Sequence, residues 1–135
     1  MRERILIVSD EQRNAPVGQS LAQKGFSIAI TEDANDGYEQ LLGSPFDLII
    51  VNLSDPMSGT SLIKRIRTNP DLGRVLILTI AEWGTGQPTM ALTEGADGFE
   101  AAPCDNERLI AAVARLLRPN LTMIARASGV DREQD

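Results

Sequence analysis

Apolar runs of strand length recur along this chain and alternate with stretches whose apolar positions repeat at helical spacing. The clearest run, FDLIIVN from Phe46 to Asn52, sets Ile49, Ile50 and Val51 side by side with no polar residue between them. A strand without alternation must be covered on both faces, as in a parallel sheet flanked by helices. The run stops at LSDPMSG, where Asn52, Ser54 and Asp55 supply polar groups and Pro56 and Gly59 shape the turn into the next helix. In open parallel sheets, sites form beyond the carboxyl ends of the strands, so the question of function falls first on Asn52.

The remaining elements follow the same rhythm. RILIVS, Arg4 to Ser9, is another continuous strand, and it ends in Asp10 and Glu11. Pro16 suits a first helical turn, and Val17, Leu21 and Ala22 recur at helical spacing before Gly25 closes the segment. Phe26 to Thr31 alternates enough for a strand near the sheet edge. A helix is predicted from Ala34 to Leu42 with Tyr38, Leu41 and Leu42 facing inward, before Gly43 and Pro45 return the chain to the central strand. After Gly59, Leu62, Ile63 and Ile66 form the inner stripe of a helix ending near Asn69 and Pro70. RVLILT, Arg74 to Thr79, is the fourth buried strand, with Thr79 as its polar terminus. Gly84, Gly86 and Pro88 then weaken the pattern, so the fourth predicted helix, Thr89 to Glu94, is short. Gly95 reads as its C-cap, Asp97 to Ala101 as a fifth strand, and Glu107 to Leu117 as an amphipathic helix carrying Leu109, Ile110, Val113, Leu116 and Leu117 inward.

Five strand and helix pairs with short connections predict an α/β fold, a flavodoxin-like (βα)5 doubly wound parallel sheet in strand order 2-1-3-4-5. Its switch point lies between strands 1 and 3, so Asp10, Glu11 and Asn52 converge in one crevice with Thr79 beside them. Residues 1–118 form one domain, and 119–135, with Pro119, Gly129 and a charged end, read as a C-terminal tail or interdomain linker.

Composition narrows the function classes. A hydrophobic fraction of 42% in 135 residues allows a real core in one domain. No apolar run reaches the roughly 20 residues that cross a bilayer, and the N-terminus enters a strand without a signal-peptide pattern, so the expected location is the cytoplasm, with no membrane partner. The chain has no histidine and a single cysteine, Cys104, which argues against zinc sites and against Ser-His or Cys-His catalysis. A formal charge of -6 argues against a nucleic-acid surface. The cluster of Lys64, Arg65 and Arg67 reads as a solvated helix face. Gly84 and Gly86 do not follow a strand in the pattern of a phosphate-binding loop, and no nucleophile and base pair is visible, so no enzyme is expected.

Four stretches in order resemble the response-regulator receiver domains (CheY-like) of two-component phosphorelay signalling: ILIVSDE, FDLIIVNLSDPMSG, VLILT and EGADGFEAAP. The resemblance covers Arg4 to about Leu117. It implies that Asp10 is a direct Mg2+ ligand, that position 52 is the phosphorylated aspartate, and that Ser54 serves the metal through its backbone carbonyl. It further implies that Thr79 is the hydroxyl following the phosphoryl group, Phe99 the aromatic switch residue and position 102 a lysine.

The chain departs from that pattern where the chemistry is most demanding. Position 52 is Asn52, position 102 is Ala102 before Pro103, and Ser9 replaces the first of the acidic pair. Aspartyl phosphorylation needs a carboxylate nucleophile, and an amide is neutral and nearly non-nucleophilic. Phosphoryl transfer also needs cationic groups that Ala102 does not supply. With Asp10 and Glu11 as the acidic pocket, Mg2+ binding is expected to be weak or absent and no other cofactor is implied. The predicted function is a degenerate, phosphorylation-independent pseudo-receiver acting by protein–protein interaction. By resemblance its partner surface is the fourth predicted helix, fifth strand and fifth helix, Thr89 to Leu117, used for an output domain, another protein or a homodimer. Two alternatives stand beside it: an active receiver using Asp55 as acceptor, against a plain turn role before Pro56, and a small-ligand sensor in the crevice between strands 1 and 3. Thr79 reads equally as a strand-end hydrogen bonder, Phe99 as a core aromatic, Cys104 as a small apolar residue, and Trp83 as a pocket cover or an interface residue.

Overall fold

The computed structural model describes residues 3–10, 14–81, 94–101 and 104–118. Its strands are β1 (Arg4–Ser9), β2 (Ser27–Thr31), β3 (Leu48–Asn52), β4 (Leu76–Ala81) and β5 (Gly98–Ala101), all parallel, in the order β2-β1-β3-β4-β5. This is the flavodoxin-like α/β arrangement that the strand pattern predicts. The described helices are α1 (Asn14–Gln23), α2 (Ala34–Gly43), α3 (Pro56–Thr68) and α4 (Asn106–Leu117), with a 3-10 turn at Pro70–Leu72. The fourth predicted helix, apart from Glu94, and the 119–135 segment lie outside the described residues, as do Trp83, Gly84 and Gly86.

Each central strand divides its apolar side chains between two cores, which is why the runs carry no polar alternation. Ile5, Ile7, Ile50 and Leu78 face Leu21 of α1 and Leu109 and Val113 of α4. Leu6, Val8, Ile49, Val51 and Ile77 face Leu41 of α2 and Leu62, Ile63 and Ile66 of α3. The two layers hold the carboxyl ends of β1, β3 and β4 level, and that edge is where the polar residues gather.

Local chemistry moves several predicted boundaries. α3 begins at Pro56 rather than after Gly59, because Asp55 caps it: the Asp55 carboxylate accepts from the Met57 N–H at 3.0 Å and the Ser58 hydroxyl at 3.0 Å, while the proline opens the helix. β4 runs two residues later than the RVLILT run suggested, from Leu76 to Ala81. In α2, Leu41 is buried as expected, but Leu42 is 51% exposed, and the second buried position is Gly37. A Cβ on Gly37 would lie 2.7 Å from Val8 Cγ2, so the absent side chain lets the helix approach β1 and turns Leu42 outward. Tyr38 is half-buried. In α1, Leu21 is fully buried whereas Ala22 faces solvent.

No helix among the described residues is long and apolar enough to cross a membrane.

Candidate functional site

The carboxyl ends of β1 and β3 lie next to each other, with Ser9 and Asn52 as register partners. Ser9 is 2% exposed and Asn52 is half-buried. The next residue of the first strand, Asp10, reaches across to the loop after β3: its carboxylate accepts the Ser54 N–H at 3.1 Å on each oxygen and the Ser54 hydroxyl at 2.8 Å. A hydrogen-bonded bridge thus joins the end of β1 to the loop after β3, the two strands on either side of the expected switch point.

Thr79 on β4 pairs with Val51 on one side and with Phe99 of β5 on the other. Its side chain is 5% exposed, and its hydroxyl donates to the Val51 carbonyl over a long 3.4 Å. Phe99 is half-buried. The sheet thus sets Asn52, Thr79 and Phe99 on adjacent strands within one register step. Glu11 and Ala102, the remaining residues named at this end, lie outside the described residues.

Among the described residues, the carboxylates that follow the ends of β1 and β3 within three positions are Asp10 and Asp55. Asp55 is committed to the α3 cap, and both oxygens of Asp10 are committed to Ser54. Ser9, Asn52 and Ser54 are neutral. Mg2+ is held by hard, anionic oxygens with their lone pairs directed at the metal. Among the described residues this set offers the ion one carboxylate outside a helix cap, Asp10. The Asn52 amide oxygen can accept a hydrogen bond but offers no anionic nucleophile.

What the arrangement retains is a scaffold. Glu100 of β5 is paired with both Arg108 (3.1 Å) and Arg115 (3.0 Å) of α4 and is itself mostly covered, which ties the last helix to the edge strand. Cys104, half-buried at the start of that helix, has its thiol pushed up by burial, consistent with a small packing residue. A signal for the Asp10 to Ser54 bridge was absent from the sequence pattern, because the two residues are 44 positions apart.

The family model described as the response regulator receiver domain matches residues 5–114, nearly the whole described fold. The chain belongs to this family. Among relatives of this receiver domain, the transcriptional regulatory protein DltR of Streptococcus agalactiae is 32% identical over 127 residues, covering 93% of this chain and 55% of DltR. The receiver domain thus spans about half the length of the curated relatives it matches. The chemotaxis protein CheY4 of Vibrio cholerae shares the fold at a TM-score of 0.78 and 22% identity, covering 86% of this chain and 99% of CheY4. A signal receiver domain of a histidine kinase from Syntrophus aciditrophicus superposes with a TM-score of 0.76 at 26% identity, covering 98% of this chain and 96% of that one. The receiver domain is a signalling module of the two-component response-regulator type.

Proposed function

We propose that this receiver domain signals without an aspartyl phosphate and acts as a protein-binding module. One observation carries the reading: the polar residue that ends β3, in register with Ser9, is the amide Asn52, so the strand end offers no carboxylate to a phosphodonor. Mg2+ binding is weak or absent, in keeping with neutral Ser9 and the engaged Asp10 carboxylate. The capping bonds of Asp55 support a structural role for it over that of a substitute acceptor. The module is not an enzyme and works in the cytoplasm. Its partner is an output domain, another protein or a second copy, met through the surface that includes β5 and α4, and not nucleic acid or membrane. Without a phosphoryl switch, partner binding sets the populations of its conformations.

Intact-mass measurement after incubation with acetyl phosphate and Mg2+ tests this, together with an NMR titration using Mg2+ and beryllofluoride. No phosphoryl adduct and no saturable shifts at Asp10, Asn52 or Thr79 are expected. An adduct that disappears in Asp55→Ala would instead establish Asp55 as a working acceptor.

A further inference from the structure

The bridge between Asp10 and Ser54 has a consequence beyond the missing phosphoacceptor. It joins the end of β1 to the loop after β3 by three donor contacts, two from one N–H shared between both carboxylate oxygens and one from a hydroxyl. These are the loops that converge on the switch-point crevice. The residue after Ser54 is Asp55, the cap of α3, and two residues further on stands Met57, 63% exposed. Whatever fixes Ser54 therefore also fixes the start of α3 and the exposed Met57 beside it.

We propose that Asp10 and Ser54 form a metal-independent pin that holds the crevice loops in a single arrangement, so that this edge of the domain presents a constant surface. The proposal rests on the reading that the site works without phosphate. Its physical basis is the local charge balance. Asp10 follows neutral Ser9, whose register partner on β3 is the neutral Asn52. Its oxygens are satisfied by protein donors, and charge-assisted hydrogen bonds of this kind are the stronger class. A cation entering the crevice would have to displace the Ser54 donors, and it would find few other anionic ligands to repay their loss. Ser54 contributes through both its backbone N–H and its side chain, so the pin survives in part when only the hydroxyl is removed. Asp10 and Ser54 are positioning residues, acting on the loop and helix they hold.

Amide hydrogen exchange and thermal denaturation of the full chain test the pin, in EDTA and in Mg2+, for the wild type and for Asp10→Ala, Asp10→Asn and Ser54→Ala. In the wild type the Ser54 amide should be protected equally in both buffers. Asp10→Ala should expose that amide, with exchange about tenfold faster, and lower Tm by ~2–5 °C. Asp10→Asn, which keeps an acceptor oxygen but loses the charge, should fall between. Ser54→Ala should keep part of the amide protection. A Tm that rises in Asp10→Ala would mean that the carboxylate is chiefly repelled, as in an acidic metal site, and would overturn the proposal. Unchanged Ser54 exchange in Asp10→Ala would overturn it equally. The two readings fail separately: a phosphoryl adduct or saturable beryllofluoride shifts on the wild type overturn the phosphate-independent function, whereas the Asp10→Ala exchange rate decides the pin.

Discussion

A carboxylate at position 52 should cost this protein stability, because the described side chains beside it in sequence register are neutral Ser9 and anionic Asp10. Asn52 is half-buried and in register with Ser9, next to Asp10. Asn52→Asp places a second negative charge in that crevice, and a like charge disfavours ionisation of both groups. The expected destabilisation is about 1 kcal/mol in EDTA, and added Mg2+ should recover part of it. Thermal melts with and without the ion measure both effects; a variant as stable as the wild type in EDTA would mean that the crevice is less crowded with charge than the geometry implies. Thr79 is the opposite case. The hydrogen bond described for its hydroxyl is the long one to the Val51 carbonyl, so Thr79→Val, similar in shape, should change stability by less than about 1 kcal/mol. A larger loss would point to a tighter bond than the 3.4 Å separation suggests.

Helix ends carry the next set of consequences. Asp55→Ala removes the acceptor for Met57 N–H and Ser58 and should cost ~1 kcal/mol, whereas Asp55→Asn, a good cap, should retain most of the stability. Chemical denaturation of the two variants separates a capping role from one that needs the charge. At the carboxyl end of α4 stands Arg118, whose guanidinium donates to both carboxylate oxygens of Glu3 at 3.1 and 3.0 Å and lies over the Phe26 ring. The hydrogen bond from Arg118 holds the Glu3 carboxyl below the usual glutamate range, opposed in part by burial. Since the folded-state value is the depressed one, this contact stabilises fully above the ordinary glutamate range and its contribution is lost as pH falls through the lowered value. Wild type and Glu3→Gln should therefore differ in Tm at neutral pH and converge in acid once the pH falls below that lowered value. A difference that persists undiminished in acid would show that the contact acts through packing and not through charge.

Across the whole molecule, one arginine joins three elements. Arg67, near the end of α3, donates to the Gly95 carbonyl at 2.8 Å and the Val75 carbonyl at 2.8 Å and pairs with Asp97. The Asp97 carboxylate in turn accepts the Ile77 N–H at 2.8 Å, so the fork links α3 to the approaches of both β4 and β5. Gly95 suits this place: its φ is +121°, and a Cβ there would lie 2.5 Å from Arg67 Cγ. Arg67→Leu would take the guanidinium from two carbonyls and leave the Asp97 carboxylate with the Ile77 N–H but without its cation, and the expected loss is about 2–4 kcal/mol, read by denaturant unfolding. A loss within the ordinary range of a surface substitution would show that water replaces the guanidinium at little cost. The sequence placed Arg67 with Lys64 and Arg65 on a solvated face; Lys64 and Arg65 are exposed there, while Arg67 folds back into the clamp.

The apolar runs by themselves determined the parallel sheet and which strand ends carry polar groups, because a strand buried on both faces must be continuous and apolar up to the point where it leaves the core; the strand order followed from the expected flavodoxin-like arrangement, which the structure has. They also determined the chemical limit at Asn52, since the nucleophilicity of a side chain is a property of the residue. Only the tertiary structure decided which side chains of an amphipathic segment turn inward. Gly37, not Leu42, meets the core of α2 because a helix rotates to let its smallest residue approach the sheet. It also decided which polar groups meet: Asp10 with Ser54, Arg67 with Asp97, Thr79 beside Phe99. Periodicity reports the local choice between burial and exposure. Pairing across 30 or 44 residues depends on loop paths and strand register, which no local pattern carries.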